Sequence, residues 1–342
     1  MTHRSRERKE RGEGMLTART NWKVAVTDSG FPDLAPEAEA LSGTGASLAP
    51  GRCRTAEEVA ALCADADAVL TQWAPVTAEA IAAMTRCKVI VRYGIGVDNV
   101  DLEAARAKGI PVANVPDYAI EEVADHALSL LLASVRRIPQ VAAQVRKGVW
   151  EIAPCRPIVG LQGRKLGVAG FGNIARAVVR RAQAFGMTTL AYDPYAAPDV
   201  FARHGTEQAD WETLLAESDF VSIHLPLNGQ TRRLFDDRAF AAMKPGAHLI
   251  NTSRGGVVDT DALVRALREG RLAGAALDVL DEEPIAAGHP LLQLDSCIVT
   301  SHCAWYSESS LLRLQRYAAL EVRRVLEGGH PVHVVNGVEA VR

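Results

Sequence analysis

KLGVAGFGNIARAVVRRAQAFGMTTLAYDPY, residues 165–195, is the stretch whose reading decides the fold. A short apolar run, Leu166 to Ala169, turns on Gly170-Phe171-Gly172 and leads into a helical pattern with Ile174, Val178, Val179, Ala182 and Phe185 expected inward. That pattern stops at Gly186, and a second apolar run, Thr188 to Tyr192, ends on Asp193. Strand, glycine turn, helix, strand and terminal acid form the order of a βαβ dinucleotide site. Gly170 can take a turn that a Cβ would obstruct, and Gly172 lets the backbone approach a pyrophosphate. The N–H groups of Asn173 and Ile174 open a helix whose positive end faces that anion. Ala175 fills the third small position, where only close helix–strand packing is needed. Asp193 stands where a carboxylate accepts the ribose hydroxyls and repels a 2′-phosphate, which favours NAD over NADP. The glycines alone would also suit an ordinary tight turn; the flanking strands and the acid make the difference.

Outward from this stretch the alternation continues in both directions. Before it, strands are expected at Lys23 to Asp28, Ser47 to Leu48, Ala68 to Thr71, Val89 to Tyr93 and Pro111 to Val115. Helices are expected at Ala56 to Ala64, Ala78 to Met84 and Leu102 to Lys108. A parallel sheet covered by helices is therefore complete before the glycine turn appears. The amphipathic segment Ala119 to Arg137 is expected to link two domains. After the glycine turn, strands follow at Phe220 to His224, Ala247 to Asn251, Ala275 to Val279 and Cys297 to Thr300, then a helix at Glu308 to Leu326. The short end, Val332 to Val335, is expected to pack back on the first domain.

Composition bounds the answer. A chain of 342 residues with 48% hydrophobic and 23% charged residues is long enough for two domains with their own cores. A net charge of −3 gives no reason to expect nucleic acid or an anionic membrane as a partner. No apolar run approaches the roughly 20 residues needed to span a bilayer, and no leader pattern opens the chain. The six cysteines form no CxxC pair and read as reduced thiols in a cytoplasmic protein. Residues 1–22, dense in Arg, Glu and Gly, are expected to be a disordered tail, with Met15 an alternative start to Met1.

Three later stretches place polar groups at the ends of apolar runs, where open α/β sheets bind ligands. In Asn251-Thr252-Ser253-Arg254-Gly255-Gly256, a guanidinium just past a strand suits a bidentate grip on a carboxylate, although a solvated turn arginine would have the same neighbours. Asp278 is read as lying inside an apolar strand, which is costly unless it is hydrogen-bonded or contacts a ligand; spacing does not choose among the acids Asp281, Glu282 and Glu283 after it. His302 ends the next apolar run beside Trp305, and a lone histidine there could equally be structural.

Together, Gly170–Ala175, Asp193, Asn251–Gly255, Asp278–Pro284 and His302 resemble the D-2-hydroxyacid dehydrogenase family over nearly all of the chain from Lys23. Asn114-Val115-Pro116, Glu121–Asp125 and Ala304–Glu308 are most similar to the branch of the C-terminal binding proteins, NAD-dependent corepressors. The resemblance implies an α/β fold of two doubly wound parallel-sheet domains. A Rossmann NAD-binding domain (121–305, with its linking helix) is inserted into a flavodoxin-like substrate domain (23–120 and 306–342). It implies Arg254, Glu283 and His302 as the catalytic set, Glu283 because the family's acid directly precedes a proline. Asp278 would meet the nicotinamide carboxamide, the loop from Leu225 and Pro226 to Thr231 would lie near the adenine ribose, and Thr252 and Ser253 would line the cofactor. Arg92, Gly94, Ile95 and Gly96, from the first domain, would hold the substrate carboxylate, and Trp305 would wall the pocket or simply pack in the core. Domain closure over a cleft would exclude water from the hydride path. No metal is required. A homodimer is implied, with Arg137 to Pro157 as its interface arm.

The implied reaction is reduction of a small 2-oxo acid to its D-2-hydroxy acid, with His302 supplying the proton and Arg254 polarising the carbonyl. Departures from the family are Ser301 in place of a common proline, Cys303 where a small residue is usual, and Asp125 for a frequent glutamate. The formate dehydrogenase branch, with glutamine at the position of Glu283, is disfavoured. Two rivals keep the same residues: an NAD-sensing scaffold with little turnover, and a dehydrogenase of a phosphorus or sulfur oxyacid.

Overall fold

Strands made almost wholly of Val, Ile, Leu and Ala can be buried on both faces only in a parallel sheet flanked by helices. The computed structural model, which describes residues 21–339, contains two such sheets, one in each of two units.

The first unit gathers the described chain up to Tyr93, then Asn99–Asn114, then the chain from Gln315 onward. It runs β1 (Trp22–Val26), α1 (Ala35–Ala40), β2 (Ala46–Pro50), α2 (Ala56–Cys63), β3 (Ala68–Thr71), α3 (Ala78–Ala83), β4 (Ile90–Arg92), α4 (Leu102–Ala107) and β5 (Val112–Ala113). All pairings are parallel, in the order β2-β1-β3-β4-β5. That is the flavodoxin-like order. Thr55, Thr77 and Asp101 each cap a helix start by accepting a backbone N–H. The returning C-terminal chain is pinned by buried polar groups. Gln315 Nε2 donates to the Glu37 carboxylate at 2.9 Å, and the Tyr93 hydroxyl donates to the same group at 2.8 Å. Farther on, the Val335 N–H donates to the Val112 carbonyl at 2.9 Å, so the short tail packs on β5 as expected.

The second unit comprises Gly94–Asp98 and Val115–Leu314. It opens with α5 (Ile120–Val135) and α6 (Ile138–Arg146), followed by β6 (Lys165–Ala169), α7 (Asn173–Ala184), β7 (Thr188–Tyr192), α8 (Pro198–Arg203), β8 (Glu207–Gln208), α9 (Trp211–Glu217) and β9 (Phe220–Ile223). The rest is α10 (Asp237–Ala242), β10 (Ala247–Asn251), α11 (Thr260–Arg268), β11 (Leu272–Leu277), β12 (Cys297–Val299) and α12 (Glu308–Leu326), which continues into the first unit. The parallel sheet has the order β12-β11-β10-β9-β6-β7-β8, a Rossmann order extended by one strand. Helix α5 buries Val123, Ala124, Ala127, Leu128, Leu130, Leu131 and Val135 against α7 and the sheet. Truncating one such leucine to alanine costs about 2–5 kcal/mol. Helix α7 ends at Phe185, and Gly186 follows at φ 75°, a conformation glycine takes without strain.

Several expectations need correction. Trp22 already belongs to β1, so the tail expected over 1–22 runs into the first strand; residues 1–20 of it, with Met1 and Met15, lie outside the described residues. Gly94–Asp98, assigned above to the first domain, cluster with the second, because the Gly94 carbonyl accepts the Val115 N–H and Asp98 pairs with Arg254. Residues 115–120 and 306–314 also belong to the second unit rather than to the substrate domain. Phe185, expected inward, is the C-cap residue of α7 and is half exposed. Helices α1, α6, α8, α9, α10 and α11 and strand β8 were not anticipated; most are short, and short segments carry little periodicity.

Candidate active site

The glycine turn between β6 and α7 is built from backbone. Gly170 sits at φ 88°, and a Cβ there would meet the His224 carbonyl oxygen at 2.6 Å. Gly172 has φ −71° and nothing within 4 Å of where a Cβ would lie, so its face is open. Unlike α2, α3, α4, α9, α10 and α11, helix α7 has no side-chain cap, which leaves its first N–H groups for an anion. Ala175 is fully buried against the sheet. Asp193 stands at the end of β7, where Oδ2 accepts the Phe171 N–H at 2.8 Å and Oδ1 accepts the Tyr195 N–H at 2.9 Å. The acid thus braces the turn from the end of β7. Past β9, Leu225 is buried and the Thr231 hydroxyl donates to the Pro226 carbonyl at 2.6 Å, closing the 226–231 loop on itself. The buried Thr252 hydroxyl has no hydrogen-bond partner among the described residues. An open glycine face, an uncapped helix and an orphaned hydroxyl fit a dinucleotide.

The other polar cluster lies at the same carboxyl ends of the strands, two to four strands further along the sheet. Register places Asn251 beside Leu277 and Leu277 beside Val299, so Arg254, Asp278 and His302 leave adjacent parallel strands at one end. Arg254 follows β10 by three residues. Its Nε donates to Asp98 Oδ2 at 2.7 Å and its Nη1 to the Ser253 carbonyl at 2.7 Å. A Cβ on Gly96 would fall 1.4 Å from Arg254 Nη2, so the guanidinium lies directly against that glycine. Asn251, fully buried, shapes the loop: its Oδ1 accepts from Ser253 and its Nδ2 donates to the Arg254 carbonyl at 2.9 Å.

His302 follows β12 by three residues at φ 54°, a left-handed conformation that costs a non-glycine residue of order 1–3 kcal/mol. The fold holds it there by two backbone bonds: its N–H donates to the Asp278 carbonyl at 2.8 Å, and the Trp305 indole donates to its carbonyl at 2.9 Å. The ring Nδ1 is 2.7 Å from Glu283 Oε2, and the Leu280 N–H donates to Glu283 Oε1 at 2.8 Å. Partial burial pushes the Glu283 carboxyl up, but the His302 ring and that N–H outweigh it and hold it below the ordinary range.

Asp278 stands one residue past β11, not inside the strand as the sequence suggested. Its buried carboxylate is saturated: Oδ1 accepts from the Thr300 hydroxyl at 2.5 Å and the Cys303 N–H at 3.0 Å, and Oδ2 from the Ala304 N–H at 2.8 Å. The His126 ring lies 3.4 Å from Oδ1. Burial alone would raise its pKa; His126, Thr300 and the two N–H groups hold it far below the ordinary range.

Of the expected site residues, Asp278, Glu283, His302 and Trp305 are joined by the bonds just given, Arg254 leaves the same end of the sheet and lies against Gly96, and Gly94 and Ile95 are in the same unit. Arg92 is in the other unit, buried, with its guanidinium 5.2 Å from the Trp73 ring centre. Sequence reasoning missed Asp98, His126 and Thr300. Asp98, two residues past Gly96, is the one a local signal could have found.

Comparison with known proteins shows the family and the fold. Residues 128–304 match the family model described as D-isomer specific 2-hydroxyacid dehydrogenase, NAD binding domain. The chain is 40% identical over 284 residues to a D-3-phosphoglycerate dehydrogenase of Methanocaldococcus jannaschii, covering 82% of this chain and 54% of that protein. It is 40% identical over 266 residues to a glyoxylate reductase of Korarchaeum cryptofilum, covering 77% of this chain and 80% of that protein. The chain therefore spans about half the length of that phosphoglycerate dehydrogenase and most of the reductase. Among solved structures, D-lactate dehydrogenase from Aquifex aeolicus, complexed with NAD and lactic acid, superposes with a TM-score of 0.81 at 30% identity, covering 89% of this chain and 96% of that one.

Proposed function

Because the chain belongs to the D-isomer-specific 2-hydroxyacid dehydrogenase family and carries its NAD-binding domain, we propose that it interconverts a small 2-oxo acid and the corresponding D-2-hydroxy acid. The observation that carries this reading is the His302–Glu283 pair on the strand end next but one to that of Arg254. When bound, NADH supplies the hydride.

The chain's own residues do the rest. Glu283 engages Nδ1 of His302, which leaves Nε2 as the ring atom that gives a proton to the carbonyl oxygen in reduction and takes it back in oxidation. Arg254, held through Nε by Asp98, turns Nη2 toward the space over Gly96, where it polarises the carbonyl and grips the substrate carboxylate. The strained His302 backbone, tied to Asp278 and Trp305, keeps the ring from turning away. Gly94, Ile95 and Gly96 offer backbone N–H groups to the same carboxylate. Gly170, Gly172, Asn173, Ile174 and Asp193 hold the dinucleotide, with Thr252 and Asp278 nearer its nicotinamide end.

The free thiols of the described cysteines fit the reducing cytoplasm, and no described helix is long and apolar enough to cross a membrane. A homodimer is supported by the arm around α6, where Ile138, Val145, Trp150 and Ile152 are all exposed. The test is NADH consumption with a panel of glyoxylate, hydroxypyruvate and longer 2-oxo acids. Turnover of at least one member is expected. Tight NADH binding with no turnover across the panel would instead support a cofactor-sensing scaffold.

A further inference from the structure

His126, Asp278 and Cys303 offer an imidazole nitrogen, a carboxylate oxygen and a sulfur that all lie within 4.8 Å of one another. We propose that these three side chains form a binding site for a thiophilic divalent cation, Zn2+ above all, beside His302.

The distances support this. Zinc bonds of about 2.3 Å to sulfur and about 2.0–2.2 Å to nitrogen or oxygen, arranged tetrahedrally, put neighbouring donor atoms roughly 3.3–3.6 Å apart. His126 Nε2 is 3.4 Å from Asp278 Oδ1, and Cys303 Sγ is 3.6 Å from the same oxygen. Two edges of the tetrahedron are thus present before any ion arrives. The frame is rigid: His126 is on α5, Asp278 caps the end of β11, and Cys303 follows the braced His302. A set of one thiolate, one imidazole and one carboxylate suits Zn2+ or Co2+, whereas Mg2+ and Ca2+ ask for oxygen ligands throughout. Three protein ligands leave a fourth position for water.

Binding would cost the Thr300 hydroxyl its bonds to Asp278 Oδ1 and, at 3.1 Å, to His126 Nε2, and release the thiol proton of Cys303 to solvent. His126 would bind as the neutral ring with its proton on Nδ1. Asp278 is also the group proposed above to meet the nicotinamide, so an ion held there competes with NADH; this consequence rests on that reading, whereas the ion site itself does not.

The experiment titrates chelator-treated protein with Co2+ and records absorbance. One equivalent is expected to give tetrahedral visible bands and a near-ultraviolet thiolate-to-cobalt band, all displaced by Zn2+ and not by Mg2+. Loss of a group that merely supports a ligand costs roughly 10–100-fold in affinity, so Cys303→Ala and His126→Gln should each weaken binding by at least about 100-fold. A wild-type spectrum without the thiolate band, or one that Cys303→Ala leaves unchanged, would overturn the site. NADH fluorescence titration with and without Zn2+ tests the second step separately. Weaker NADH binding in wild type but not in Cys303→Ala supports competition; cobalt binding with NADH affinity unaltered keeps the ion site and removes the proposed Asp278 contact.

Discussion

The two polar edges of the seven-stranded sheet are built on opposite principles. At the β6 end, the turn is backbone: two glycines, an uncapped helix and one carboxylate accepting two N–H groups. At the β10–β11–β12 end, nearly every feature is a side chain held by another side chain, as in Arg254 by Asp98, His302 by Glu283, and Asp278 by Thr300 and His126. A surface made of N–H groups accepts any pyrophosphate presented to it, and it needs no protonation state. A surface that moves a proton needs titratable groups, and a titratable group keeps its geometry only if a partner fixes it. The contrast separates two kinds of mutant.

After removal of His302 itself, the largest separation is expected at Gly96. A methyl there must displace the Arg254 guanidinium, so Gly96→Ala should lower kcat/KM by about 100-fold while NADH affinity, read by fluorescence, stays near wild type. Equal losses in both would mean that the two edges are not independent. Asp98→Asn keeps the shape but removes the charge behind Arg254 Nε. A charge-assisted hydrogen bond contributes about 1.5–3 kcal/mol, and with Asp98 half exposed the lower end applies, so roughly a tenfold rise in KM for the 2-oxo acid is expected. The mirror image is Gly172→Ala, whose added methyl meets no protein atom but would stand where the proposed reading brings a dinucleotide phosphate. The melting temperature should hold, NADH Kd should rise about tenfold, equivalent to ~1.4 kcal/mol, and kcat at saturating cofactor should change little.

The sequence made these edges legible to different degrees. The glycine turn, Asp193 and both flanking strands are contiguous, so spacing alone named them. Arg254 and His302 were found because each closes an apolar run. Their partners were harder to see: Glu283 rested on the resemblance, and Asp98 lies 156 residues from Arg254 in the chain. His126 sits within a helix whose apolar periodicity hides a polar face pointing at Asp278. The unit boundary was misread for the same reason, since Gly94–Asp98 follow β4 in sequence but join the second unit through Val115 and Arg254. Local spacing carries turns and strand ends; it does not carry pairings made across the fold.

The smallest effect concerns the shared support beneath both edges. His248, buried on β10, bonds through Nδ1 to the Ser134 hydroxyl of α5 at 2.8 Å. Burial, helped by Arg137, pushes its pKa down from 6.5 to about 4. The unfolded chain therefore takes up a proton near pH 6.5 that the folded chain refuses until about pH 4. Stability is full above that window and declines as pH falls through it, by about 3 kcal/mol over the whole window. Denaturant unfolding at pH 7 and pH 4.5 should show this loss, and His248→Gln should flatten it. An unchanged pH slope in the variant would assign the acid sensitivity to other groups.

The central claim is that His302 moves the proton while the glycine edge holds the dinucleotide. His302→Ala, measured with the best 2-oxo acid of the panel, tests it most directly. Removing a general acid–base is expected to lower kcat by about 10²–10⁴-fold, with NADH Kd within a few-fold of wild type. Near-normal turnover in that variant would contradict the account.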